Sequence, residues 1–563
     1  MLRRNNKWWD IGSVGVALLA LILVNFISSQ YFYQIDLTAD KRYTINPGTQ
    51  KLLEELDDVV FVEVFLEGNM PPGFERLKRS IREKLEAFRT ISNGKIEFKF
   101  TDPGAAPDQK TRNEVFVQLT KKGLQPTNMR DVEGNAEVQK ILFPGAIISY
   151  KSKEVPIMLL KGNQGAPPQV RLNQSVEGIE YELASGIKLA SITKPKIIGY
   201  LTGHGELEGA PVEELARNVG SYHEFKRVDL FKVQSLEGLD AIILCRPTQP
   251  FSEFDKFKLD QFVVKGGKAL IFHDGIRAEI DSVKQEGMLA FPYETNLDDW
   301  YFRMGVRVNP DLVMDLNSSY IPMMVGYIGT QPDTRLVPWR YYPLLNKFSD
   351  HAITKNLDAI YTRFISSLDT VKADGIRKTP LVFSSRYSKT TPSPVRINFN
   401  EARLKPMPQV YKKSFIPVAY LLEGSFTSLY KNRMTPDATG ELKFQENGVP
   451  SKVIIFGDGD VAKNEVSKTN NNIYPLGYDR FSGLTFANKE FLMNALEYLL
   501  NDDGLILSRN KVIQLRPLNK PKLDAEKTTW QILNLVLPLI LLALFGFSRY
   551  FIRKKRFTVF KAT

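Results

Sequence analysis

Four short motifs hold the side chains of this sequence that could do chemistry. GHGE at 203–206 offers an imidazole and a carboxylate, His204 and Glu206, a pair able to bind a metal or exchange a proton. IILCRPT carries Cys245, the single cysteine of the chain. FHDG supplies His273 and Asp274, and GDGDVAKN supplies Asp458 and Asp460, carboxylates that could hold a hard cation. Each has a plainer reading. Gly203 and Gly205 give a tight turn its backbone freedom, with His204 satisfied by the backbone. Gly457, Asp458 and Gly459 suit ordinary turn chemistry, and a calcium loop needs more oxygens at regular spacing and a terminal glutamate. A thiol nucleophile needs a sharp turn flanked by small residues; here Arg246 and Pro247 follow, so a His204–Cys245–Glu206 triad is not expected. One cysteine excludes an intrachain disulfide, a CxxC redox centre and a cysteine-rich zinc site. No GxxxxGK[ST] loop is present, so the chain does not hydrolyse ATP by that route. The expectation is no catalytic residue, no metal and no cofactor, with His204, Glu206, Asp458 and Asp460 as candidate ligand-binding residues.

These motifs need strands to carry them. PKIIGYLTGHGE reads as a strand breaking into a glycine turn, LDAIILC, KALIFHD and SKVIIFGDGD as further strands, and PVEELARNVG, SEFDKFKLDQFVVKGG and NKEFLMNALEYLLND as helices. Alternating strands and helices over 190–505 predict a doubly wound α/β sheet with its candidate residues at strand ends, where such sheets bind ligands. A stretch at about 275–450, rich in Tyr, Pro and Trp and including WRYYPL, is expected as a β-rich insertion of irregular strands and loops. An earlier unit, 40–160, opens with Asn46 as a helix cap and Pro47 at the first helical position. VVFVEVFL, then Leu77, Ile81, Leu85 and Phe88 at helical spacing, then the alternating KIEFKF, predict a parallel βαβ unit. Its layout is thioredoxin-like, without the cysteine pair that redox chemistry needs. SRNKVIQLRPLNKPKLDAEK, 508–527, reads as a linker.

Residues 11–27, IGSVGVALLALILVNFI, run uncharged for about 26 Å of helix against a hydrocarbon core of about 30 Å. Trp8, Trp9, Tyr31, Phe32 and Tyr33 flank the run as interfacial aromatics. The downstream FISSQYFYQ offers no A-x-A-like cleavage site, which favours a retained anchor over a cleaved signal. A second apolar run, WQILNLVLPLILLALFGF, occupies 530–547. Two transmembrane helices are therefore expected, at 11–29 and 528–548. The chain of 563 residues has a net charge of +12; the tail 1–10 holds +2 and the tail 549–563 holds +6, leaving +4 for the middle. That small surplus argues against a nucleic-acid face, and the basic tails place both termini in the cytoplasm. Two helices alone form no transport path, so a partner with more spans is implied.

LTADKRYTINPGTQKLLEELD, TGHGE, FDKFKLDQFVVKGGKALIFHD, WRYYPLLNKFSDHAITKNLD and VIIFGDGDVAKN, in that order, resemble the GldG family of gliding-motility ABC-transporter auxiliary proteins over nearly the whole chain. The resemblance implies a Bacteroidetes-type inner-membrane protein with its bulk in the periplasm and its helices in membrane lipid. It also implies a GldF-like permease and a GldA-like ATPase as partners, and a link to gliding motility and type IX secretion. Amidotransferase-like folds are related to the exterior of that family, but the nucleophile turn is lacking here, so no catalytic residue is carried over. The implied role is a non-enzymatic, substrate-binding-type subunit whose exterior binds substrate, an envelope partner or a second copy of itself. The alternatives are a membrane-tethered structural anchor without transport and, third, an enzyme using His204 and Glu206.

Overall fold

The computed structural model describes residues 7–30, 36, 44–106, 108–133, 136–160, 167–192, 194–283, 286–436, 442–501, 504–510 and 520–558. The chain divides into two compact units, Met1–Val512 and Ile513–Thr563. The first opens with helix α1, Lys7–Gln30, whose described apolar stretch is Gly15–Asn25. Helix α2, Pro47–Glu54, follows, and the Asn46 side chain caps it by accepting from the Gly48 amide at 2.8 Å, with Pro47 first inside.

A four-stranded sheet comes next. Strand β1, Val60–Val64, is joined to β2, Ile96–Phe100, by helix α3, Pro72–Ile91, and α4, Gln109–Lys121, follows β2. A hairpin of β3, Thr127–Glu133, and β4, Ala136–Leu142, leads into β5, Gly145–Tyr150, and β6, Lys153–Met158. The order is β2-β1-β5-β6, with β1 and β2 parallel and β5 antiparallel to both β1 and β6. Leu77, Ile81, Leu85 and Phe88 are fully buried along α3, as their spacing predicts. Alternation along β5 sends Ala146, Ile148 and Tyr150 to that core, while Ile147 joins Phe65, Leu119, Leu124 and Phe143 in a smaller one. Helix α5, Pro168–Ser191, beyond the expected bound at 160, closes the larger core with Leu172, Ile179, Leu183, Ala184 and Ile187. Close approach needs Gly186, where an added Cβ would lie 2.5 Å from Ile148 Cδ1.

The second sheet has eight strands. Five are parallel: β7, Ile197–Thr202, β8, Glu224–Asp229, β9, Ala241–Cys245, β10, Lys268–Phe272, and a late strand, Asn447–Phe456. Helices α6, Glu213–Gly220, and α7, Glu253–Val264, follow β8's predecessor and β9, and α8, Asp298–Met304, comes after β10. Within the stretch expected as an insertion, β11, Ser318–Ile328, and β12, Gln331–Leu345, form a long hairpin. Trp339, Tyr341 and Tyr342 of the WRYYPL motif anchor its base in a core of their own. The rest of that stretch differs from the expectation of irregular strands and loops. Strands β13, Lys347–Phe348, β14, Ile376–Phe383, and β15, Pro417–Thr427, extend the main sheet antiparallel from β16, the strand Asn447–Phe456. The physical reason lies in Val418, Leu421 and Leu422, which the sheet buries completely and which no exposed loop would accommodate. The full order is β13-β14-β15-β16-β10-β9-β7-β8. Helix α9, Asn488–Leu500, packs with α6 on one face of this sheet, and α7 and α8 cover the other.

After α9, a short 3-10 turn, Leu505–Asn510, lies against both halves of the first unit. Leu505 enters the four-stranded core, and Ile506 packs with Tyr181 of α5 and Ala352. The Arg509 guanidinium lies over the Tyr181 ring at 4.8 Å and donates to the Lys355 carbonyl at 2.9 Å.

The second unit is dominated by helix α10, Lys520–Thr558. Among the described residues one helix is long and apolar enough to cross a membrane, Ala525–Lys555 within α10, with mean hydropathy 2.1. The expected linker 508–527 is helical from Lys520 onward; residues 511–519 lie outside the described residues.

Leu85 fills the centre of the four-stranded core. Leu85→Ala is expected to lower stability by about 2–5 kcal/mol in urea unfolding of the detergent-solubilised chain.

Candidate functional site at the carboxyl edge of the parallel strands

β7, β9, β10 and β16 point their carboxyl ends to one edge, and the loops that leave them carry all four motifs. Taken in chain order, the parallel strands lie 2-1-3-4-5, with the chain reversing direction between β7 and β9. That reversal is where open α/β sheets leave a crevice for ligands.

Here the crevice is filled. The amides of Thr248 and Gln249 both donate to the His204 carbonyl at 2.9 Å, and Thr248 Oγ1 donates to the Gly205 carbonyl at 3.1 Å. Gly205 sits at φ +76° and an added Cβ would lie 2.1 Å from Thr248 Oγ1, so only glycine fits. The His204 ring is buried, stacked on Phe251 with centroids 3.7 Å apart and tilted against Phe231 at 4.7 Å. Its Nε2 lies 3.3 Å from Asp255 Oδ2 and its Nδ1 lies 3.9 Å from Glu206 Oε1, contacts that miss hydrogen-bond geometry. Ser252 places Asp255 by capping α7: its hydroxyl accepts from the Asp255 amide at 3.1 Å and donates to Oδ2 at 2.6 Å. Burial opposes ionisation of Asp255, but His204, Lys258 and Ser252 outweigh it and hold the carboxyl below the usual range. Glu206 differs, since burial raises its pKa while Oε2 accepts from the His204 amide at 2.7 Å.

Arg246 organises the second cluster. Its Nε donates to Asp274 Oδ2 at 2.9 Å, Nη2 to Glu279 Oε1 at 2.6 Å and Nη1 to Asp460 Oδ1 at 3.4 Å. Asp274 also accepts from the Gly459 amide, and an added Cβ at Gly459 would lie 2.5 Å from Arg246 Cβ. Asp458 caps the following turn, accepting from the Asp460 amide and the Arg363 amide, each at 2.7 Å. Arg363 in turn donates to Glu465 Oε2 at 2.7 Å. Burial, with Asp274 and Asp460 beside it, pushes Asp458 well above the usual carboxylate range. Burial resists charge on Asp460 too, but Lys463, Arg246 and Arg363 hold it ionised. Burial pushes Asp274 up to about 6 against the pull of Arg246.

The sequence-predicted residues therefore form two pairs, His204 with Glu206 and Asp458 with Asp460, each within its own cluster. Arg246, Asp255 and Arg363 were not singled out as site residues; the one local signal was a cation directly after an apolar strand. Directly after Cys245 the backbone turns left-handed, with Arg246 at φ +55°. Its three carboxylate partners outweigh a backbone cost of about 1–3 kcal/mol. The turn carries no nucleophile, because Cys245 itself points into the core, where burial pushes its thiol far up. His273 stands apart, its Nδ1 3.2 Å from the Tyr301 hydroxyl and its pKa pushed down to about 4 by burial. Among the described residues no three or more His, Cys, Asp or Glu side chains converge on a metal position.

Two outcomes are expected. Arg246→Met strands the buried Asp274 without its cation, while Asp460 keeps Lys463 at 3.3 Å, and should cost about 3–5 kcal/mol in urea unfolding. Asp274 is raised from 3.8 in the unfolded chain to about 6, so the folded state holds its proton more tightly. Its contribution is complete below the unfolded value and is lost as pH rises through about 6. The stability of the parent relative to Asp274→Asn should fall by about 1–3 kcal/mol between pH 4 and pH 7.

Residues 195–495, just over half of the chain, match the family model described as an ABC-type uncharacterized transport system, and residues 39–149 match a domain of unknown function. An uncharacterized protein of Borreliella burgdorferi (strain ATCC 35210 / DSM 4680 / CIP 102532 / B31) is 23% identical over 478 residues, covering 80% of this chain and 86% of its own. Among solved structures, the mmIFT52 N-terminal domain aligns at 13% identity over 55% of this chain and 99% of its own, with a TM-score of 0.31, too low to support any inference. The mixed α/β sheets, the apolar C-terminal helix and the match across the second sheet agree: the chain belongs to the ABC-type uncharacterized transport system family of auxiliary components.

Proposed function

We propose that this chain is the non-enzymatic, membrane-tethered auxiliary subunit of an ABC transporter of the gliding-motility type, working with a multispanning permease and a separate ATPase. The observation that carries the non-enzymatic part is the closed edge. At the strand reversal, where an α/β enzyme opens its crevice, loop-to-loop hydrogen bonds and a ring stack fill the space, and Arg246 is saturated by three carboxylates. Ligand contact at His204, Glu206, Asp458 or Asp460 would first require these loops to part. Family membership supports the transport assignment in general terms.

Two scaffolds suit this role. The order β2-β1-β5-β6, with α3 crossing between parallel strands, supports a thioredoxin-like exterior domain that has no redox cysteines. The 2-1-3-4-5 order of the parallel strands supports a flavodoxin- or amidotransferase-like second domain. We read α10 as one membrane span and α1 as another, both termini as cytoplasmic and the sheets as periplasmic, on the basic tails and the apolar runs.

Affinity purification of the tagged chain from native membranes in mild detergent should recover a multispanning permease and an ATPase in stoichiometric amounts. Recovery of envelope or motility components without a permease would replace this reading with the structural anchor. A periplasm-active reporter fused at residue 5 or 560 should stay silent, and His204→Ala should leave complex activity unchanged.

A further inference from the structure

α10 does not end where its apolar run ends. Trp530–Phe547 is free of charge and spans about 27 Å, close to a hydrocarbon core of about 30 Å. The helix then continues unbroken to Thr558, carrying Arg549, Arg553, Lys554, Lys555 and Arg556 and no acidic residue. Because the backbone stays helical, residues 549, 553 and 556 fall at i, i+4 and i+7 on one face. Arg549 and Arg553 are exposed, and on other faces of the same turns Tyr550 and Phe551 are 60% and 63% exposed, residue types that favour the membrane interface. The nearest acidic residue before the run is Glu526, at the opposite end of the apolar stretch. The arginine face thus has no acidic neighbour on its own helix, and it emerges in the layer where lipid phosphates lie.

We infer that the face formed by Arg549 and Arg553 binds the phosphates of anionic phospholipids in the leaflet that receives the C-terminal end of α10. A guanidinium offers a planar fork that matches two phosphate oxygens, which a lysine ammonium does not. Two such forks along one face engage successive headgroups or the two phosphates of a cardiolipin-type lipid. The inference rests on the reading of α10 as a membrane span.

The test uses the full chain purified in mild detergent, with phosphatidylglycerol, cardiolipin or phosphatidylcholine added and lipid retention read by native mass spectrometry. The parent should retain the two anionic lipids over phosphatidylcholine by ~10-fold or more, an advantage that shrinks as salt rises. R549Q/R553Q should abolish that preference. R549K/R553K, which keeps the charge and the inserted topology, should keep only part of it. Equal retention of neutral and anionic lipid by the parent, or an unchanged preference in the glutamine variant, overturns the inference. So does loss of a protein partner from the glutamine variant with lipid retention unaltered, which assigns the face to an acidic protein surface. Alkaline carbonate extraction of native membranes separates the underlying reading. Release of the chain removes the span itself, whereas retention without an anionic preference removes the lipid inference alone.

Discussion

A guanidinium taken out of water must keep its counter-charges, and the second sheet takes Arg246 out of water. Its position follows from β9, a strand so apolar that the first residue able to leave the core is the arginine. Once there, it draws Asp274 from the end of β10, Glu279 from the next loop and Asp460 from the end of β16. Three loops that could otherwise move independently share one cation. Removing Arg246 leaves the buried Asp274 uncompensated, so the knot is a stringent constraint on how these strand ends are arranged. Asp458 feels the same cluster: burial, with Asp274 and Asp460 beside it, pushes its carboxyl well above the usual range.

The closed reversal beside it has a different chemistry and the same effect. Backbone donors from the loop after β9 satisfy the carbonyls of the loop after β7, and Phe251 covers the His204 ring. The antiparallel extension by β15, β14 and β13 places further polypeptide next to β16 where a purely parallel sheet would end.

How much of this was legible in the sequence depends on how local each cause is. The α3 stripe and the Asn46–Pro47 start were readable because helical spacing and capping act within one turn. The four parallel strand ends were readable for the same reason, as short apolar runs breaking at glycine or charge. Strands β14 and β15 were not, since their membership in the sheet is decided by partners that pair with them only in the fold. Helix α5 was missed because it is buried on several sides, with Glu180 and Tyr181 inside alongside Ile179 and Leu183, and so shows no clean apolar stripe. Of the candidate site, the acidic pairs were visible and their cation was not. Arg246 meets its partners 28, 33 and 214 residues away, separations at which no spacing rule operates.

The turn Leu505–Asn510 is the last described segment of the first unit. It is fastened twice, by Leu505 in the four-stranded core and by Arg509 to the Lys355 carbonyl beside the larger sheet. Tyr181, under the Arg509 guanidinium, also donates a hydrogen bond to Glu497, tying α5 to α9 at the same place. Tension arriving along the chain from its C-terminal side therefore meets a double mooring. Such a pull is shared between the contacts of Leu505 and those of Arg509.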